Sequence, residues 1–232
     1  MERWLTPGGC TVYPITKGRS NTYLVFDGDD SILVDTSHRG ALKGLTDKLD
    51  DLLDGRKLSW LVLTHSHYDH AENTAVLKER YNTRVIVHKS ELYDLKQGFS
   101  PLPTGTNPIT RIVSNLGGKI SSFSHYEPVG PDIIVDDAYP VTPRTYLIHT
   151  PGHTEGSMSL IVDDEIALVG DAMFGVFNWS VFPPFADDVS ALEKSWGKLA
   201  KTGCKMYLPG HGTENSRELL LKQCNKYGVE LD

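Results

Sequence analysis

The amino-acid sequence predicts an α/β protein in which layers of sheet and helix alternate within one domain spanning residues 1–232. Two patterns carry this prediction. A strand-like segment, an amphipathic helical segment and a predominantly apolar run follow one another between residues 31 and 63, and the same order returns between residues 165 and 208. An apolar run is typical of a strand buried on both faces, which needs a layer of structure on each side of its sheet.

The first half of the chain begins with short strands and continues with helices. Its strand segments are rich in β-branched and aromatic residues, and Asp27-Gly28-Asp29-Asp30 is a turn signal between two of them. Leucines at positions 42, 45, 49 and 52 recur at helical spacing. The expected elements are strands at 11–15, 22–26 and 32–34, a helix through these leucines, a buried strand at 58–63 and a helix around 71–81.

The second half repeats this arrangement, with strands expected at 145–148, 165–169 and 206–208 and a helix at 191–200. In each half one strand leads into an aspartate, Asp35 or Asp171, and a later strand leads into a histidine, His65 or His211. Any α/β protein repeats strand, helix and strand, but the matching aspartates and histidines favour an internal duplication with halves of about 1–120 and 121–232. Between the halves, residues 98–130 are dense in Pro, Gly, Ser and Asn, which predicts a loop insertion that is either a lid or a surface excursion.

Composition and charge restrict the classes of partner. The chain has 23 Lys and Arg against 30 Asp and Glu, a formal net charge of −7, so a generally basic surface for nucleic acid or anionic membrane is excluded. No segment approaches the roughly 20 apolar residues that cross a bilayer, and the N-terminus shows no signal-peptide core. The three cysteines, Cys10, Cys204 and Cys224, are odd in number and widely spaced. The cysteine pattern predicts no disulfide framework, so we expect a cytoplasmic protein. We also expect a small-molecule substrate and no nucleic-acid or membrane partner, and assembly into a homo-oligomer is possible.

The segment Thr64-His65-Ser66-His67-Tyr68-Asp69-His70, directly after the buried strand, has the spacing of a metal site. In an extended segment, the side chains of residues two apart point the same way, so His65 and His67 can bind one ion together. Asp69 and His70 fall where the chain turns into a helix, and they can serve a second ion beside the first. A lone histidine at a strand end is usually structural, but four ligand types packed this tightly are rarely so.

Three further candidates lie at other predicted strand ends. His153 follows the Pro151-Gly152 turn, His211 follows Pro209-Gly210, and Asp171 closes the run that ends in Gly170. Because the ends of several strands meet at one edge of an open α/β sheet, these side chains can converge with the first group. His149 is a weaker candidate because it lies within a strand, and His38, His88 and His125 read as ordinary histidines.

These motifs resemble those of the metallo-β-lactamase superfamily. His65 to His70 has the form His-x-His-x-Asp-His, the later motifs stand at His153, Asp171 and His211, and Asp35 matches the family's first motif. The resemblance implies an αββα sandwich of two mixed sheets flanked by helices, with the metals at one edge. It also implies that His65, His67 and His153 hold one ion, that Asp69, His70 and His211 hold a second, and that Asp171 bridges both. Asp35 would accept hydrogen bonds and orient the metal-binding loop, with an ordinary turn residue at the end of a strand as the alternative.

The resemblance further implies a hydrolase in which two divalent ions share a bridging hydroxide near neutral pH. Zinc is expected, with iron or manganese as alternatives, because imidazole and carboxylate suit several metals. Asp69 is expected to be catalytic, steering the proton of the hydroxide. An alternative is an oxidoreductase with one iron that resembles the persulfide dioxygenases of the same superfamily.

The branch of the family follows from Asp171, which the true β-lactamases generally lack, so the chain is more similar to the glyoxalase II-like and lactonase-like branches. The expected substrate is a small ester, thioester or lactone. Only residues 212–232 follow His211, and no Gly-Cys-Gly-Arg pattern follows Asp171, which argues against glutathione thioesters. Aromatic residues cluster after Asp171 and predict a substrate pocket, with core packing or a dimer contact as alternatives; they are Phe174, Phe177, Trp179, Phe182 and Phe185.

Overall fold

The structure of the chain is a computed structural model that describes residues 2–117 and 125–231. Within these residues, the strands form two mixed β-sheets that pack face to face, and helices cover the outer face of each sheet. The predicted αββα sandwich is confirmed.

The first sheet has seven strands whose spatial order is their order in the chain. The first four strands pair as antiparallel hairpins, whereas the fourth to the seventh run parallel to one another. The strands are β1 (Trp4–Leu5), β2 (Thr11–Thr16), β3 (Thr22–Asp27), β4 (Asp30–Val34), β5 (Trp60–Val62), β6 (Arg84–His88) and β7 (Ile133–Val135).

The second sheet has six strands in the order β13-β12-β11-β10-β9-β8. Only β11 and β12 are parallel, and the other neighbours are antiparallel. The strands are β8 (Ala138–Thr142), β9 (Thr145–His149), β10 (Met158–Val162), β11 (Ile166–Gly170), β12 (Met206–Pro209) and β13 (Asn215–Ser216).

Seven α-helices lie within the described ranges, and the longer ones begin or end at residues suited to capping. Asp188 and Ser216 accept hydrogen bonds from backbone N–H groups in the first turns of the last two helices, and Gly228 ends the final helix at φ 67°. The helices are α1 (Leu42–Leu53), α2 (Tyr68–Ala71), α3 (Thr74–Tyr81), α4 (Leu92–Gln97), α5 (Pro108–Gly117), α6 (Val189–Lys201) and α7 (Arg217–Tyr227).

Alternation along the strands divides the interior into three apolar layers. In β4, Ile32 and Val34 face the second sheet, whereas Leu33 between them faces α1. The middle layer joins the two sheets, and each outer layer joins one sheet to its helices, through leucines of α1 or through Trp196 and its neighbours in α6. Both faces of each sheet are therefore covered, which explains the apolar strand sequences.

This topology brings two parallel strand pairs to the same edge of the sandwich. The pair β4 and β5 is followed by Asp35 and His65, and the pair β11 and β12 is followed by Asp171 and His211. The two edges are joined because Asn21 donates its backbone N–H to the carbonyl of Gly210 and its side-chain amide to Pro209. The carboxyl ends of strands from both sheets consequently face one shared space.

Two sequence-based expectations about local structure differ from the structure in part. The helix expected around 71–81 is present as α3, but it begins at Thr74 and is separated from α2 by two residues, the second of which, Asn73, donates its side-chain amide to the carbonyls of Thr36, Ser37 and His38. The insertion at 98–130 was expected to be loop throughout, but it contains α5, whose apolar residues the Pro and Gly content obscured. Residues 118–124 of this insertion lie outside the described residues.

The sheets change between β7 and β8, later in the chain than the boundary expected near residue 120. The internal duplication itself stays a prediction. No helix among the described residues combines the length and the apolar character needed to cross a membrane.

Candidate metal centre

Loops that follow strands of both sheets deliver seven ligand-type side chains to one edge of the sandwich. The loop after β5 carries His65 and His67, and α2 begins directly after them and carries Asp69 and His70. His153 comes from the loop between β9 and β10, and Asp171 and His211 follow β11 and β12. Potential ligand atoms of these residues form three groups, within each of which all atoms lie within 4.8 Å of one another. The groups are His65, His67 and His153, then Asp69, His70 and His211, and a third that links these two through His65, His70 and Asp171.

The first group consists of His65, His67 and His153, all of them buried. Nδ1 of His67 lies 2.9 Å from Nε2 of His153. Nδ1 of His153 donates to the carbonyl of Phe185 over 2.9 Å, and Nδ1 of His65 contacts the Thr64 hydroxyl at 3.0 Å. These contacts orient His65 and His153 so that Nε2 of each faces the shared space.

The second group consists of Asp69, His70 and His211. Nε2 of His70 lies 3.3 Å from Nε2 of His211, which in turn lies 3.5 Å from a carboxylate oxygen of Asp69. The ring of His211 stacks on Phe174 with centroids 4.7 Å apart, which limits its rotation. This group is more open than the first, since Asp69 and His211 are only partly buried.

Asp171 lies between the two groups. One of its oxygens is 3.4 Å from Nε2 of His70, and the other is 3.4 Å from Nε2 of His153 and 3.3 Å from Nε2 of His211. Gly210 allows this approach, since a Cβ there would lie 2.3 Å from the Asp171 carboxylate and 2.6 Å from the His70 ring. A single carboxylate thus reaches toward both groups.

The donor set fits a cation better than it fits an internal hydrogen-bond network. Nε2 of His65 and one oxygen of Asp171 are buried and have no hydrogen-bond partner among the residues that the structure describes. A buried polar atom without a partner lowers the stability of a folded protein unless a bound ion or ligand takes the partner's place. Imidazole nitrogen and carboxylate oxygen are also the donors that zinc, iron and manganese accept.

The histidines of the cluster differ in the direction in which their pKa values are shifted. Burial and the neighbouring imidazoles lower the pKa of His65 and of His67 well below the ordinary value, which keeps both rings neutral, as metal ligation requires. Burial opposes protonation of His70 too, but Asp171, Asp35 and Asp69 outweigh it and raise the pKa of His70 to about 10. Against burial, His211, His70 and His153 hold the pKa of Asp171 well below its ordinary value, so it is ionised.

Asp35 supports the cluster from behind. One of its oxygens accepts the backbone N–H of Thr64 at 2.8 Å, and the other accepts the Thr64 hydroxyl at 2.8 Å and Nδ1 of His70 at 2.9 Å. A carboxylate can only accept, so Nδ1 of His70 carries a proton, and Nε2 is the nitrogen that faces the other ligands and that must be unprotonated to bind a metal ion. The backbone of Asp35 lies in the left-handed region, with φ 61°, and in this conformation its side chain reaches Thr64 and His70.

Sequence reasoning missed two polar residues that shape this edge. Asn73 ties the segment after Asp35 to the start of α3 through its three amide hydrogen bonds. Glu91, only 4% exposed, receives hydrogen bonds from the two loops that carry the first group. Neither residue lies in a motif with a recognisable spacing, so burial of a polar side chain is the signal that identifies them, and it exists only in the folded chain.

A cavity of about 190 Å³ opens onto the ligands. The ligand side of this cavity includes Asp69, Asp171 and His211, and Tyr68 lies beside them. The opposite wall comes from the 98–130 insertion and from the segment after Asp171, and its residues are Ser100, Pro101, Leu102, Pro103, Phe174, Pro184 and Phe185. The part of the insertion nearest the candidate ligands, residues 100–103, therefore forms a wall of the cavity.

The predicted aromatic pocket is divided between two spaces. Phe174 and Phe185 line the cavity above the ligands. Phe177, Trp179 and Phe182 instead line a neighbouring groove of about 490 Å³, which shares Phe174 and Pro184 with that cavity. Phe182 also packs edge-on against Trp196, whereas Phe177 and Trp179 are 52% and 68% exposed.

The four remaining histidines lie outside the three ligand groups. His88 and His149 stack on each other with centroids 4.1 Å apart, and their Nε2 atoms bind the carbonyls of Asp136 and Glu155. His125 lies beside Phe99, and His38 contacts the Ser37 hydroxyl.

Comparison with known proteins identifies relatives of this chain. A family model described as the metallo-beta-lactamase superfamily matches residues 15–211. A probable metallo-hydrolase of Methanocaldococcus jannaschii is 29% identical over 206 residues, which cover 85% of this chain and 90% of that protein. An N-acyl homoserine lactonase of a Bacillus species is 29% identical over 168 residues, which cover 69% of this chain and 58% of that protein.

Solved structures share the fold. A protein described in a di-iron-bound form superposes with a TM-score of 0.65 at 23% identity, over 90% of this chain and 97% of that one. A structure described as the B3 metallo-beta-lactamase BLEG-1 superposes with a TM-score of 0.68 at 18% identity, over 91% and 96%. At these identities the likeness concerns the fold alone.

Proposed function

The chain belongs to the metallo-β-lactamase superfamily, and from that premise we propose that it is a dinuclear metal-dependent hydrolase of small esters, thioesters or lactones. The position of Asp171 carries the proposal. Its two oxygens lie within 3.4 Å of histidines from both ligand groups, which suits a carboxylate shared by two ions.

The two ions would be held by His65, His67 and His153 on one side and by Asp69, His70 and His211 on the other. When bound, such ions act as Lewis acids and lower the pKa of water, which supplies a nucleophile near neutral pH. The side chains of the protein orient the ligands and provide a group for proton transfer. Asp35 and Phe185 hold His70 and His153 in the orientation that presents Nε2, and Asp69 is placed at the cavity surface where it can hold or release a proton next to the reacting group.

The shape of the cavity supports a substrate with a small reactive group and an apolar substituent. About 190 Å³ accommodates an ester or lactone ring but little more, and Leu102, Phe174 and Phe185 make one wall apolar. The groove lined by Phe177 and Trp179 begins where this wall ends. The similarity to a lactonase agrees with a lactone as one substrate class.

Zinc is the proposed metal, and iron and manganese are the alternatives, because the donor set consists of imidazoles and carboxylates only. The di-iron form of a protein with the same fold shows that this scaffold accommodates iron elsewhere.

Metal analysis combined with a substrate panel tests the proposal. We expect close to two ions per chain and hydrolysis of an acyl thioester or a lactone. Asp171→Ala and Asp69→Ala should abolish turnover while the circular dichroism spectrum stays that of the wild type. Asp51→Ala, which changes an exposed carboxylate on α1, is the matched control and should retain activity.

One iron per chain, with oxygen consumed on a persulfide substrate and no esterase activity, would overturn the hydrolase proposal. One ion per chain with esterase activity would overturn only its dinuclear part.

A further inference from the structure

Glu91 is a buried carboxylate in the short 3₁₀ turn, Lys89–Glu91, that follows β6. Each of its oxygens accepts two hydrogen bonds. One oxygen accepts the backbone N–H of Ser66 at 2.9 Å together with the Ser66 hydroxyl. The other accepts the Thr154 hydroxyl at 2.7 Å and the backbone N–H of Gly156 at 3.0 Å.

A carboxylate this deeply buried is expensive unless charged or polar partners surround it. Among the described residues, the partners of Glu91 are these four neutral donors, and no ion pair includes it. The four bonds compensate for the lost hydration, and the same bonds satisfy donors of Ser66, Thr154 and Gly156 that an apolar side chain would leave without an acceptor. What a carboxylate adds is the ability to hold two separate segments with one rigid group.

The two segments it holds are those that carry the first ligand group. Ser66 stands between His65 and His67, and Thr154 directly follows His153. The first segment belongs to one sheet and the second to the other. Glu91 therefore joins the loops across the sandwich, immediately beside the 2.9 Å approach of His67 to His153.

Neighbouring contacts show that this arrangement is built tightly. Tyr126 donates its hydroxyl to the carbonyl of Ser66 at 2.8 Å, so the residue between the two histidines is held on its other side too. Gly156 approaches so closely that a Cβ there would lie 2.5 Å from the Glu91 carboxylate. The second ligand group has different supports, since His70 is held by Asp35 and His211 by Phe174.

We propose that Glu91 is a positioning residue that keeps His67 and His153 at the distance needed to share one ion. It acts directly on the group of His65, His67 and His153, whereas the group of Asp69, His70 and His211 has its own supports in Asp35 and Phe174. The inference rests on the proposed metal-binding function.

Glu91→Gln tests the inference with a side chain of the same size. Its amide has one oxygen, so whichever way it turns, its NH₂ group meets the donors of Ser66 or those of Thr154 and Gly156, and one loop is released. We expect the affinity for one of two Zn²⁺ ions to fall about 10- to 100-fold, the range typical of lost support behind a metal ligand, and the other affinity to change by less than about 3-fold. Chelator competition gives both affinities, and Co²⁺ substitution reports the coordination of each ion by its absorption bands.

Asp27→Asn is the matched control. Asp27 is also a buried carboxylate that links the two sheets, through the Thr142 hydroxyl and Arg144, but it does not contact the ligand loops. This control should lower the stability of the protein and leave both metal affinities unchanged. Ser66→Ala, which removes one of the four donors, serves as a milder second variant if Glu91→Gln does not fold, and it should weaken the same ion.

The inference is overturned if Glu91→Gln binds both ions with wild-type affinity. It is also overturned if both affinities fall to the same extent in Glu91→Gln, or if Asp27→Asn lowers them as much as Glu91→Gln does. If the wild type binds one ion only, the dinuclear proposal fails but the role of Glu91 is still decided by whether the substitution weakens that ion. If the wild type binds no ion, the proposed function fails, and the inference fails with it.

Discussion

The three hydrogen bonds of Asp35 allow a quantitative prediction for Asp35→Asn. Asparagine has nearly the same size and tolerates the left-handed backbone with φ 61°, so the substitution tests the carboxylate and not the turn. Asp35 accepts three bonds of 2.8–2.9 Å, from the N–H and the hydroxyl of Thr64 and from Nδ1 of His70. Asparagine offers only one accepting oxygen.

The amide has two ways to sit in this position. If its oxygen faces the Thr64 hydroxyl and His70, the buried N–H of Thr64 loses its acceptor, which costs about 1–3 kcal/mol of unfolding free energy. If its oxygen faces that N–H instead, the NH₂ group meets Nδ1 of His70. Nδ1 must then accept, so a proton on the ring can sit only on Nε2, the nitrogen that faces Asp171. In that case the metal affinity of the group of Asp69, His70 and His211 falls about 10- to 100-fold.

Two assays separate these outcomes. Urea unfolding of the chelator-treated protein measures the loss of stability, and titration with Zn²⁺ against a chromophoric chelator measures the loss of affinity. Asp47→Asn, on the exposed face of α1, is the control and should change neither quantity. An Asp35→Asn protein with wild-type stability and wild-type metal affinity would refute the role assigned to Asp35.

Three further predictions concern other parts of the molecule. Against burial, hydrogen bonds from Thr142 and Arg144 lower the pKa of Asp27, so its contribution to stability is present at neutral pH and is lost as the pH falls below the ordinary value of 3.8. The difference in unfolding free energy between wild type and Asp27→Asn, measured in urea from pH 3 to 7, should therefore shrink at the acid end, and a constant difference would contradict this. Gly210→Ala should abolish metal binding, measured by metal analysis, because its Cβ would lie 2.3 Å from Asp171, whereas Gly44→Ala in an open position on α1 should bind normally. Trp196→Phe removes the 2.7 Å hydrogen bond from the indole N–H to the Ala172 carbonyl and part of a fully buried ring. The free energy of unfolding measured in urea should therefore fall by about 1–3 kcal/mol. An unchanged free energy of unfolding would show that the site repacks without cost.

Local patterns in the sequence were sufficient for the fold class and for most element positions. The leucines of α1 and the alternating apolar residues of β4 report burial directly, because the period of a helix or strand dictates which side chains share a face. The same reasoning did not find the boundary between α2 and α3, where the side-chain amide of Asn73 binds three carbonyls of the segment after Asp35. It also failed at α5, whose apolar face lies within a segment rich in helix-breaking residues.

The sequence by itself determined the candidate ligands, since seven side chains of metal-binding type stand directly after predicted strands, where strand ends of a sheet converge. Tertiary structure alone decided which side chains reach one another. The 3.4 Å approach of Asp171 to His70 and the hydrogen bond from Thr154 to Glu91 each join residues that are more than 60 positions apart and follow strands of different sheets. The division of the aromatic residues between cavity and groove likewise follows from the packed fold. Such contacts depend on how the sheets pack against each other and on which polar groups become buried and desolvated. Neither the packing nor the burial produces a regular pattern of residue types along the sequence.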